Sequence, residues 1–119
     1  MDKVNLKEKF SLFSDQWSPK IVGELNGQQV KLAKVQGEFV WHAHEGEDEL
    51  FLVVHGALAI RLRDREITLS EGEFFIVPRG VEHQPVAKEE AHILLFEPAS
   101  TMNTGNVESD RKVMHPDRL

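Results

Sequence analysis

A chain of 119 residues can bury one hydrophobic core and leaves no room for a second domain of the same kind. A formal charge of −6 and the lack of any long basic run argue against nucleic acid as a partner, and no apolar run approaches membrane-spanning length. Cysteine is absent, so disulfides play no part; with a polar start at Met1-Asp2-Lys3 that lacks the apolar stretch of a secretion signal, the expected location is the cytoplasm.

Residues 1–18 read as a helical segment. Asn5 is placed to cap, Glu8 follows three residues on, and Leu6, Phe10 and Phe13 share one helical face. Trp17 and Pro19 are expected to end the helix, which covers an open end of the strand-rich unit or packs on a subunit. That unit spans 19–98. It opens with a hairpin: Ile21 to Leu25, an Asn26-Gly27 turn, then Gln28 to Val35. Further strands are expected at Val40 to His44, Leu50 to His55, Ala57 to Arg63, Glu66 to Leu69, Phe74 to Val77, His83 to Ala87 and His92 to Glu97. Asp64-Arg65 and Lys88-Glu89-Glu90 supply turns. Many short strands, regular turn signals and little helix predict an all-β jelly-roll barrel, a double-stranded β-helix, with one short amino-terminal helix. Residues 99–119 form a polar, weakly patterned tail, either mobile or bracing a partner subunit.

The chemistry is concentrated in a two-part pattern. The first part is Gly37, His42, His44, Glu49 and Gly56; the second is Gly72, Pro78, Gly80 and His83. Two residues apart on extended backbone, His42 and His44 project to one face. Glu45-Gly46-Glu47-Asp48 reads as a turn, after which Glu49 can direct its carboxylate back toward the two imidazoles. His83 follows the Pro78-Arg79-Gly80 turn and opens another strand. Three imidazoles and one carboxylate aimed into one interior would lack partners, whereas a divalent ion satisfies all four. Fe, Mn, Ni, Co, Cu and Zn all accept three nitrogens and an oxygen, so the ion's identity stays open; an octahedral ion would keep two positions free.

The runs GEFVWHAHEGEDELFLVVHG and GEFFIVPRGVEHQPVA resemble the two motifs of the cupin superfamily, G-x5-H-x-H-x3–4-E-x6-G and G-x5-P-x-G-x2-H-x3-N. Gly37 sits one residue closer to His42 than in that pattern, and Ala87 replaces the usual asparagine. Neither departure touches a ligand position. Glu97-Pro98 and Asn103-Thr104-Gly105 are similar to the end of small, uncharacterised single-domain cupins. The resemblance, which extends to the mannose-6-phosphate isomerase-like type, implies a small metal-binding cupin barrel over 19–98, with His42, His44, Glu49 and His83 as metal ligands. Cupins commonly pair, so it also implies a homodimer. The sequence supplies a reason: with Glu49, Phe51 and Val53 inward, Leu50, Leu52 and Val54 form an outward apolar row that needs cover from a second copy or, within one chain, from a sheet edge or the amino-terminal helix.

Other candidates carry less. His55 lies too far along its strand to join the ligands, His92 is expected in the core, with a place in the pocket lining as the alternative, and His115 in solvent. Arg79 is read as a solvated turn residue, with an anionic substrate at the barrel mouth as the alternative.

The expected function is an enzyme acting on a small oxygenated molecule, of dioxygenase or isomerase type. A non-catalytic module that binds or senses a small molecule is the alternative. Tyrosine is absent, which excludes mechanisms that need a tyrosine acid or base, as in deoxysugar epimerase-like cupins and several sulfonium lyases. Without cysteine, the cysteine–tyrosine crosslink of thiol dioxygenases is impossible, and two-domain oxalate-degrading cupins need more chain. No acid–base pair beyond the ligands stands out in the sequence.

Overall fold

The computed structural model describes residues 2–119. One short helix, α1 (Leu6–Phe10), precedes seven strands: β1 (Lys20–Leu25), β2 (Gln28–Glu38), β3 (Glu49–His55), β4 (Leu58–Leu62), β5 (Glu66–Leu69), β6 (Phe74–Val77) and β7 (His83–Pro98). All pairings are antiparallel, in the order β1-β2-β7-β3-β6, with β4 joining β5 and β7. The expected all-β barrel with a short helix is therefore what the chain adopts.

The β1–β2 hairpin turns at Asn26 and Gly27, both left-handed at φ of 50° and 79°, the backbone that a two-residue hairpin turn demands. In β3 alternation is strict, with Glu49, Phe51 and Val53 buried and Leu50, Leu52 and Val54 half-buried on the other face. Val35, Phe51, Val53, Leu58, Ile60 and Ile93 anchor the interior cluster.

Three expectations are corrected. α1 ends at Phe10 and not near Trp17. Asn5 caps as expected, its Oδ1 accepting the Glu8 N–H at 3.0 Å, but only Phe10 is buried, so packing supports one turn and a half. Lys88-Glu89-Glu90 makes no turn: β7 runs through it as one strand of 16 residues. Its first part pairs with β4, its second with β3, and the three exposed charges lie between the two pairings. Residues 40–44 form no strand and touch a neighbour by a single bridge, His42 to His83.

The tail explains that last departure. Asn106 takes a strand's place beside Ala43: its Oδ1 accepts the Ala43 N–H at 3.0 Å and its N–H donates to the Ala43 carbonyl at 3.0 Å. Gly105 (φ +56°) lies so close that a Cβ there would overlap the Ala43 carbonyl oxygen and press on the His42 ring. Further on, the tail returns to β1, where the Leu119 N–H donates to Ile21 O at 2.9 Å. Residues 99–119 thus fold back on their own barrel.

Candidate metal centre

β3, β7 and the extended segment before β3 bring His42, His44, Glu49 and His83 together, with one ligand atom from each within 4.8 Å of all the others. All four side chains are buried, His83 completely. A backbone pair sets the distance between the two histidine-bearing segments: the His42 N–H donates to His83 O at 3.0 Å and the His83 N–H to His42 O at 2.9 Å.

Two rings have their tautomers fixed by the chain. His42 Nδ1 lies 2.8 Å from Val40 O and His83 Nδ1 lies 3.0 Å from Val81 O. A carbonyl only accepts, so both Nδ1 atoms carry the proton and both Nε2 atoms present lone pairs inward. Glu49 Oε1 sits 3.2 Å from His44 Nε2 and 3.4 Å from His83 Nε2. None of these three atoms has a hydrogen-bond partner.

Buried lone pairs facing one another without a donor are costly. Mutual separations up to 4.8 Å suit ligands that each reach one centre at about 2.0–2.2 Å, the range for imidazole and carboxylate on such ions. The donor set therefore fits a divalent transition ion. Burial, with His83 nearby, pulls the His42 pKa down to about 4, so the ring is neutral and available as a ligand at pH 7. For Glu49, burial acts upward, but the neighbouring Glu97, His44 and His83 side chains outweigh it and hold the carboxyl well below its usual range.

The centre opens onto an interior cavity of about 40 Å³ whose walls include Trp17, Phe39, His42, Phe51, Ile93 and Glu97. Such a space holds one to a few water-sized molecules. Trp17 stacks on Phe39 at 4.7 Å, and the Arg111 guanidinium lies 5.6 Å and 5.8 Å from their ring centres.

The structure does not bring the remaining candidates to the centre. His55 is exposed, its Nδ1 3.4 Å from Glu71. His92 is not in the core: half-buried on the outer face, it stacks under Phe10 at 4.8 Å, because β7 directs it opposite to Ile93. His115 is exposed, as expected. Arg79 is also exposed, its N–H donating to Asp48 Oδ1, and it lines no part of the cavity.

Sequence reasoning missed Lys31 and Glu97. They form a buried ion pair at 2.9 Å, with side-chain exposures of 3% and 2%. The signal was phase: Lys31 lies between inward Gln29 and Ala33, and Glu97 continues the inward series Ile93, Leu95. Burial, then the neighbouring Glu49 charge, pushes the Glu97 carboxyl well above its usual range.

A family model described as "Cupin domain" matches residues 28–97. The chain is 36% identical over 80 residues to the uncharacterised protein YdbB of Bacillus subtilis (strain 168), a match covering 66% of this chain and 65% of that protein. Thus it spans somewhat less than two thirds of that relative's length. Among solved structures, a cupin-2 domain containing protein from Shewanella frigidimarina NCIMB 400 is 53% identical, with a TM-score of 0.79 over 80% of this chain and 93% of that one. Protein NMB1881 from Neisseria meningitidis is 30% identical, with a TM-score of 0.76 over 82% and 100%. KdgF from Halomonas sp. is 31% identical, with a TM-score of 0.59 over 67% and 78%. By the family match across its strands, the two motifs and the barrel they build, this chain belongs to the cupin superfamily, with one small cupin barrel.

Proposed function

We propose that this cupin is a metal-dependent enzyme acting on a small oxygenated molecule, with His42, His44, Glu49 and His83 holding a divalent transition ion. One observation carries the reading: four buried ligand atoms, three of them unpartnered, converge beside a cavity that two of their residues, His42 and Glu49, line. A bound ion would supply Lewis-acid or dioxygen chemistry there. The chain's own contribution is positioning and an apolar setting. Val40 O and Val81 O fix two rings, while Phe39, Phe51, Ile93 and Leu95 give the cavity apolar walls. A cavity of this size favours a compact substrate, dioxygen or a short hydroxy or keto compound over a sugar phosphate.

The test is elemental mass spectrometry on untagged protein purified without chelator, followed by matched assays. Near-stoichiometric iron directs the search to oxygen consumption; zinc, manganese or nickel directs it to isomerisation. No metal even after reconstitution would overturn the reading. Non-catalytic small-molecule binding or sensing has one observation in its favour: beyond His42 and Glu49, Glu97 is the only ionisable residue among the described residues that lines the cavity. A metal-loaded protein that binds a chelating small molecule and leaves it unchanged would decide for that reading.

The homodimer belongs to the same proposal. α1 and Phe10 cover the His92 end of the outer face. They leave Phe74 and Ile76 exposed at 59% and 48% beside Leu50, Leu52, Leu94 and Phe96. A second copy of the chain is the occupant that this apolar face suits.

A further inference from the structure

The exposure of its walls shows where the interior cavity meets solvent. Among the described residues that line it, all are buried except Trp17 and Asn103, which are half-buried. Both are held against the same tail residue, Arg111. The Asn103 amide is fully used by the tail, its Nδ2 donating to Arg111 O at 2.8 Å and its Oδ1 accepting the Val113 N–H at 2.8 Å. The Arg111 guanidinium lies 5.6 Å from the Trp17 ring centre and 5.8 Å from that of Phe39, the next residue of the cavity wall. An exposed cation therefore stands over the mouth, with its backbone and its side chain both tied to mouth residues.

That guanidinium is anchored but not neutralised. Arg111 Nη1 donates to Glu38 O at 2.9 Å, while the Glu38 carboxylate is taken by Arg61 at 2.6 Å. Among the described residues no carboxylate pairs with Arg111, whereas Arg61, Arg63 and Arg118 each have one. Arg65 and Arg79 lack one too, but both are exposed and neither lines the cavity. Nε and Nη2 of Arg111 are left as donors on a plane held near two rings, a group suited to take a carboxylate by paired hydrogen bonds. A chain of net charge −6 repels small anions in general, so a cation at the mouth decides whether one is drawn in.

We infer that Arg111 is a specificity-determining residue and that the ligand of the cavity is a short hydroxy or keto carboxylic acid. Its carboxylate is received by the free donors of Arg111 while the remainder enters between Trp17 and Asn103. This inference rests on the reading of the cavity as a small-molecule site and narrows the small oxygenated compound to an acid.

The test uses zinc-loaded, isotope-labelled full chain at low ionic strength, titrated with glycolate and with glycolamide, its uncharged counterpart of nearly the same shape. The Trp17 indole N–H, which donates to Gln36 O at 2.9 Å, reports binding by its nuclear magnetic resonance shift, and the Trp41 indole serves as the control. Wild type is expected to bind glycolate about tenfold more tightly than glycolamide. Arg111→Met keeps a long stem on the rings and both backbone bonds to Asn103, so it should weaken glycolate alone and erase the preference. Arg111→Lys should restore part of it, since the charge returns without the paired donors. Equal affinity of wild type for the two probes would overturn the inference. So would an Arg111→Met protein that keeps the preference, or one that loses both probes equally, because Arg111 would then merely shape the mouth. Zinc content is measured on the same samples: a wild type that takes up no zinc overturns the metal-centre reading, and its preference between the probes still decides the role of Arg111.

Discussion

His42 shows how far one side chain can be committed by its surroundings. Its pKa is held near 4 against 6.5 for an unperturbed imidazole, so the folded, metal-free chain binds fewer protons than the unfolded one between those values. Stability is therefore expected to be full above pH 6.5 and to fall as the pH drops toward 4, by up to about 3 kcal/mol from this residue. Urea unfolding of metal-free protein across that range checks the sign; a flat or rising profile on acidification would refute it. A second expectation concerns His44, whose ring nitrogens have no hydrogen-bond partner. His44→Ala should reduce bound metal below a tenth of the wild-type content while the far-ultraviolet dichroism stays that of the barrel, and full occupancy in that variant would remove His44 from the ligand set. The meeting of these residues was legible from their spacing together with the resemblance to the two cupin motifs, even though the strand expected at 40–44 does not form. Lys31 and Glu97 were not, since a lone charge within an apolar run looks like a surface residue until the partner strand is known.

At the level of elements, the segment 40–44 and the tail define each other. Expected as a strand, 40–44 lacks a neighbouring strand along most of its length, and Asn106 completes the hydrogen bonding of Ala43 instead. Sequence patterns reveal alternation but not which distant, irregular segment will come alongside, so the tail's role was invisible there. Asn106→Ala would leave a buried N–H without an acceptor and should cost about 1–3 kcal/mol in denaturant unfolding. Gly105→Ala should do more than destabilise: its methyl group would push on the Ala43 carbonyl and the His42 ring, so metal affinity should fall as well. Affinity unchanged in a folded Gly105→Ala protein would show that the tail and the centre are independent. The turn expected at 88–90 failed for a related reason: three consecutive charges mark solvent exposure, which the exposed middle of a long strand provides as well as a hairpin does.

On the scale of the whole molecule, the fold class and most strand positions followed from local pattern, because in a small barrel nearly every strand has one inward and one outward face. What lies beyond the outward face is a question of assembly. Light scattering after size exclusion is expected to give twice the chain mass for wild type, and Phe74→Lys with Ile76→Lys is expected to give a monomer with metal content unchanged. A wild-type monomer at tens of micromolar would rule out the dimer. β7 links these levels. His83 stands near its start and Glu97 near its end, and both belong to the inward series with Pro85, Ala87, Ala91, Ile93 and Leu95. A slip of one residue in its pairing would turn every member of that series outward at once, taking the imidazole and the carboxyl together. Metal uptake during refolding should then serve as a proofreading signal: chains that pair β7 out of register cannot load, and the ion selects the correctly threaded barrel from its near misses.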